Sequence, residues 1–202
     1  MNIMCVSIQD IADIVQAIAV IVVAIPAFIG VNSWRAQLIG KRKIEISEEI
    51  LTLVYNLQGV IKWARHPASF GGEGEERAGR DQEPENQRRL NDSYYSRVSR
   101  LSEHTDDFAR LRSASMLFRA YFGDQGQDSL AAFNTVRNRI NSAVGMLINH
   151  SRDDQYPQHL REEFQNTIWD TSTEDESDEI SLQINNAVAD IESICRPILT
   201  RS

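Results

Sequence analysis

The longest apolar run in the chain comes first. From Ile14 to Ser33, twenty consecutive residues carry no charge. At about 1.5 Å per residue, a helix of that length reaches about 30 Å, the depth of a bilayer's hydrocarbon core. Its polar interruptions are Gln16, Asn32 and Ser33, and a spanning helix absorbs Pro26 as a kink. The pattern therefore predicts one N-terminal transmembrane helix. A cleaved signal peptide fits less well. Residues 1–13 hold no Lys or Arg and carry Asp10 and Asp13, where such a peptide has a basic start and a shorter apolar stretch. Beyond the run, Arg35, Lys41, Arg42 and Lys43 stand without an acid over residues 35–43. Basic flanks stay in the cytoplasm, so the N-terminus is expected outside and the rest of the chain inside. Trp34 sits at the boundary, where an indole favours the headgroup level. These five residues, Trp34, Arg35, Lys41, Arg42 and Lys43, are the expected membrane interface. Residues 1–34 are read as tip and anchor, and 35–202 as a cytoplasmic domain.

Past the anchor the apolar positions take up helical spacing. Ile46, Ile50, Leu53, Leu57, Val60 and Ala64 recur at steps of four and three, the heptad seam of a helix packed on others at a shallow angle. This first helix is expected over 41–65, ended by His66-Pro67, since a residue before proline avoids helix. A second is expected over 90–122. One of its rows is Tyr94, Leu101, Phe108, Ser115 and Phe122; its companion is Arg97, His104, Leu111 and Phe118. A third covers 129–149 on Leu130, Phe133, Val136, Ile140, Val144 and Leu147, and a short helix runs from Pro157 to Ile168. The last covers 179–197 on Ile180, Ile184, Ala187, Ile191, Ile194 and Ile198, with Pro197 expected to end or kink it. Residues 67–89 hold almost no large apolar side chain and several glycines, so a flexible loop is expected there. Residues 170–179 hold six acids and no base, an acidic linker. The fold expected is all-α: a single transmembrane helix followed by an antiparallel four-helix bundle with coiled-coil-like seams.

Composition narrows function without naming it. The 202 residues carry a net charge of −8, which argues against a nucleic-acid polymer as partner. Two cysteines exclude a disulfide scaffold and a four-cysteine zinc site. With Cys5 outside and Cys195 inside, the two cannot pair within one chain. Four histidines, His66, His104, His150 and His159, form no zinc signature, and His159 with Glu162 is reversed and single relative to a di-iron bundle. The acidic linker lacks calcium-loop spacing. The Gly-Gly-Glu-Gly at 71–74 lacks the Lys-Ser/Thr ending and preceding strand of a phosphate loop. No Gly-x-Ser-x-Gly elbow occurs, and Cys195 lies beside an apolar seam as a small hydrophobe. No catalytic residue, metal or cofactor is expected, and the chain does not read as an enzyme.

Charge is uneven. Residues 88–152 hold ten Arg against six acids, a balance of +4, while the acidic linker carries −6. The linker is expected to fold back onto the second and third helices, or onto those of a neighbour. The rival expectation is a surface of Arg97, Arg112, Arg119 and Arg137 that takes a small anionic ligand or a partner. His104, on a seam beside Glu103, Asp106 and Asp107, is the candidate pH-sensitive group.

The stretch WRAQLIGKRKIEISEEILTLVY, followed by HPASFGGEGEER, resembles uncharacterised bacterial single-pass membrane proteins with a helical cytoplasmic domain. The likeness covers Trp34 to Arg77. It implies an inner-membrane location and this topology, and no activity. The resulting expectation is a membrane-anchored interaction module, a scaffold, regulator or sensor, that associates with itself or with a partner protein. One alternative is a membrane effector of a bacterial defence or stress system, triggered by a ligand or partner; the other is an enzyme with no recognisable motif.

Overall fold

The structure, a computed structural model, describes residues 8–173 and 176–200, with the backbone alone for 8–12, 14, 15, 17, 21 and 23–29. Among the described residues six α-helices follow one another: α1 (Ile8–Arg65), α2 (Glu85–Ser102), α3 (Thr105–Phe122), α4 (Gln127–Asn149), α5 (Gln158–Ile168) and α6 (Glu179–Leu199). A 3-10 turn at Arg80–Gln82 precedes α2, and no strand occurs among the described residues. The all-α expectation holds. The chain divides into two compact units, Met1–Lys43 and Ile44–Ser202, nine residues later than the sequence boundary at 34/35.

In the first unit the described apolar side chains Ile18, Val20, Val22, Val31 and Trp34 are exposed. Among the described residues no helix is long and apolar enough to cross a membrane. The expected span at 14–33 is helical backbone within α1, but most of its side chains between 14 and 29 lie outside the described residues, as does Cys5.

In the second unit the seams become one core. Ile46, Ile50, Leu53, Leu57, Val60 and Ala64 of α1 are all buried, as are Leu130, Phe133, Val136, Ile140, Val144 and Leu147 of α4. α4 is the central helix, packed against α2, α3, α5 and α6. From α6, Ile180, Ile184, Ala187 and Ile191 join the same core, with Cys195 fully buried among them. Burying a Leu or Ile stabilises by roughly 1.5–3 kcal/mol, so these seams hold the unit together.

The four-helix count needs correction. The helix expected over 90–122 is two helices, α2 and α3, with a break at Glu103 and His104. The hydroxyl of Ser102 donates to the Ser99 carbonyl at 2.7 Å, and that of Thr105 to the Ser102 carbonyl at 2.8 Å. Such side chains compete with the backbone for its hydrogen bonds. The His104 N–H then reaches back only three residues, to Leu101. The break leaves Tyr94, Leu101, Phe108, Leu111 and Phe118 in the core. At the other end, α6 runs two residues beyond Pro197.

The loop after α1 also departs from expectation. It is pinned by charge rather than left loose. Arg77 is buried, pairs with both oxygens of Glu83, and donates to Asp92 Oδ1 at 2.9 Å. Arg80 takes the other Asp92 oxygen at 3.0 Å. Gly74 lies so close to α2 that a Cβ there would stand 2.2 Å from the Asp92 carbonyl oxygen, and its φ is +81°. Only glycine fits that backbone at that approach.

Candidate functional site: an arginine-pinned end of the bundle

Pro67 ends α1 and leaves its last carbonyls without intrahelical donors. Two arginines, one turn apart on α2, supply them. Arg100 donates from Nη1 to the carbonyls of Trp63 (3.0 Å) and His66 (3.2 Å), and from Nη2 to that of Ala68 (2.7 Å). Its other donors hold Glu73 at 3.0 and 2.6 Å. Arg97 donates from Nη2 to the carbonyls of His66 (2.7 Å) and Pro67 (3.0 Å). Its Nη1 meets the Ser93 carbonyl at 2.6 Å, the Ser69 hydroxyl at 3.0 Å and the Ser96 hydroxyl. The guanidinium of Arg100 stacks on Trp63 at 4.3 Å and that of Arg97 on Trp169 at 3.8 Å. Cations also suit this place because the end of a helix carries partial negative charge.

Arg65, the last residue of α1, repeats the device for the next helix. It donates to the carbonyls of Thr167 (3.0 Å), Asn166 (2.9 Å) and Trp169 (2.5 Å), which close α5. Its Nη1 reaches Asp178 Oδ1 at 2.9 Å and the Ser181 hydroxyl at 3.2 Å. Asp178 in turn caps α6 by accepting the Ser181 N–H at 2.9 Å. One buried guanidinium thus ties the ends of α1 and α5 to the start of α6.

The ionisation states follow. Burial pushes Arg97 down to about 9, helped by the neighbouring Arg100 charge and opposed by Glu73. It remains a cation at neutral pH. Burial acts to raise Asp178, but the bonds from Arg65 and the Ser181 N–H outweigh it and hold the carboxyl well below the usual range. Arg100 holds Glu73 down, and Arg77 holds Glu83 down.

Beside Arg65 opens a polar cleft of about 500 Å³, lined by Tyr55, Gln58 and Lys62 of α1, Ser172 and Thr173 of the linker, and Asn185 of α6. Gln58 is already paired with Asn185 at 2.8 Å and Tyr55 with Glu192. The lining offers hydroxyls and amides and is not the mainly apolar lining of a typical small-molecule site. Among the described residues no three side chains of His, Cys, Asp or Glu are grouped to hold a metal.

The sequence candidates fall in different places. Arg97 is no surface group: it is fully buried and its terminal donors are spent on the end of α1 and nearby serines. Arg112 and Arg119 are exposed on α3, bonded to Asn134 at 3.4 Å and Asp124 at 2.7 Å. Arg137 is half-buried over the Phe108 ring at 4.8 Å and donates to Thr105 at 2.9 Å. The four do not form one anion surface. His104 is half-buried, with Nδ1 3.1 Å from Asp107 Oδ2, an oxygen that also accepts from Asn56 at 3.0 Å. Trp34, Arg35, Lys41 and Arg42 are exposed in the first unit, and Lys43 is partly so. The acidic linker meets the third expected helix through Glu179 and Arg139 of α4 at 2.9 Å, while its Asp178 turns to Arg65. Glu174 and Asp175 lie outside the described residues.

Arg65, Arg100, Trp63 and Trp169 were not anticipated. The one signal for them is an arginine directly before His-Pro, where a helix must end with open carbonyls. Compared with protein-family models, with curated proteins and with solved structures, the chain shows no significant match to any.

Proposed function

We propose that this chain is a membrane-anchored interaction module, a scaffold, regulator or sensor whose helical domain lies in the cytoplasm of a bacterium and associates with further copies. One observation carries the reading. The longest charge-free run of the sequence, 14–33, belongs to α1, and those of its apolar side chains that are described are exposed. Exposed Val and Ile in such a run favour burial in lipid. The exposed Trp34, Arg35, Lys41 and Arg42 that follow suit a headgroup boundary on the cytoplasmic side. The resemblance of 34–77 to bacterial single-pass proteins agrees.

A partner protein or a second copy is the favoured ligand class. A small anion is less favoured, because the most buried of the four candidate arginines already spends its terminal donors on helix-end carbonyls and serines. A second reading, a triggered membrane effector, draws on α1 alone: the same helix holds the apolar run and the core seam Ile46–Ala64. The test is a native mass spectrum of the full chain released from mild detergent. Homo-oligomers support the module. A bare monomer, with growth arrest and dye entry on expression, favours the effector.

A further inference from the structure

Gly59 stands in the interior of α1, where glycine weakens a helix relative to alanine. Packing does not account for it, since a Cβ there would meet nothing within 4 Å. What Gly59 borders is the polar cleft of about 500 Å³ beside Arg65, and a longer side chain at 59 would take up that space. The volume falls within the roughly 300–1,000 Å³ of small-molecule sites. Two buried residues of its lining, Ile61 and Ile184, give it an apolar base. Its walls are polar, and some of their groups are unspent. Gln58 and Asn185 share one hydrogen bond, from Gln58 Nε2 to Asn185 Oδ1 at 2.8 Å. That leaves Gln58 Oε1 to accept and Asn185 Nδ2 to donate, side by side. Lys62 makes no hydrogen bond or ion pair among the described residues, and Asp170 spends Oδ1 on the Ser172 N–H at 3.1 Å. Charge in the lining balances. Asp178 neutralises Arg65, and Lys62 is matched by Asp170.

We propose that this cleft binds a neutral, polyhydroxylated ring: a sugar or a cyclic polyol. Each hydroxyl of such a ring both donates and accepts, so two adjacent hydroxyls can use Gln58 Oε1 and Asn185 Nδ2 together. The C–H face of the ring suits the two isoleucines and the exposed ring of Tyr55, which the bond from its hydroxyl to Glu192 holds in place. A wholly apolar ligand would bury the open amide groups without partners, which is costly. A phosphate would meet Asp170, and of the two cations in the lining Arg65 is already spent on Asp178 and carbonyls. The site needs neither the anchor nor self-association, and it goes beyond both by naming the class of signal that a sensor of this build would read.

The test is saturation-transfer NMR and calorimetry on the full chain, in a detergent without a sugar headgroup. The probes are glucose, galactose, ribose and myo-inositol, with inorganic phosphate alongside. At least one of the four neutral probes should bind. Gly59→Leu should weaken that binding at least about tenfold by filling the cleft, and Asn185→Ala by a similar factor through the lost donor. Leucine is the better helix former, so Gly59→Leu should melt no lower than the wild type. Gly145→Leu is the control: this glycine of α4 also meets nothing within 4 Å and lies outside the cleft, so binding should be unchanged. If Gly59→Leu does not fold, Asn185→Ala decides. The site is overturned if none of the four binds at millimolar concentration, or if phosphate is taken in preference to all of them. It is equally overturned if a folded Gly59→Leu, or Asn185→Ala, binds as the wild type does.

Discussion

The middle of the bundle and its arginine-pinned end are held by different physics. In the middle, Ile50, Leu57, Phe133 and Ile140 are fully buried within one apolar core. Each contact there is non-directional, and a deleted methylene costs its transfer free energy plus a cavity. At the end, Arg65, Arg97 and Arg100 are as deeply buried, yet what surrounds them is carbonyl oxygen, carboxylate and indole. Those contacts are directional, and removing one partner strands several others. A short helical chain with few large aromatic groups can close its layers with apolar seams, but its helix ends still need donors. Arginine answers that need because one side chain carries five N–H groups in a fixed fork.

Arg65→Met should break the contrast most visibly. It leaves the partly buried Asp178 without its cation and the Asn166, Thr167 and Trp169 carbonyls without that donor. A loss of about 3–5 kcal/mol is expected, read from urea unfolding of the full chain in detergent. Leu57→Ala, in the fully buried α1 seam, should cost about 2–4 kcal/mol by the same measurement, since a cavity can partly relax. If Leu57→Ala proved much the costlier, the pinned end would be an ornament on an apolar fold.

Acid sharpens the same comparison. Asp178, Glu73 and Glu83 are all held below their ordinary pKa in the folded chain by Arg65, Arg100 and Arg77. A carboxyl depressed on folding contributes stability above its unfolded pKa, and that contribution is lost as pH falls through the folded one. The urea midpoint should be level near neutrality and fall below about pH 4.5. Asp178→Asn should lower the neutral plateau and flatten the acid slope, whereas Leu57→Ala should lower both without changing the slope. Last and smallest, Arg119→Ala removes an ion pair whose partners are 66% and 81% exposed, and a change under about 1 kcal/mol is expected.

How much of this was legible depends on which physics wrote it. The α1 and α4 seams were readable because core packing imposes a period, and every residue of both rows is buried. The two-helix break at Glu103–His104 was not, because the apolar rows run on through it and only the hydroxyls of Ser102 and Thr105 mark it. The loop at 67–89 read as loose because it lacks apolar residues, and nothing in its composition shows that Arg77 and Arg80 share Asp92. The same blindness misread Arg97. Its place on a seam was visible, but an arginine on a seam usually keeps its head in water, and only the ended α1 beside it explains full burial. Glu179 did find a base on α4, as the uneven charge suggested.

The proposed anchor can be tested directly by extracting membranes with alkaline carbonate. The wild-type chain is compared with Val20→Arg/Val22→Arg, which puts two charges into the run at about 2.5–3.5 kcal/mol each near its centre. An anchored wild type stays in the membrane pellet, and the double variant is released with its helical domain still folded. A wild-type chain released by carbonate as readily as the variant would contradict the anchor.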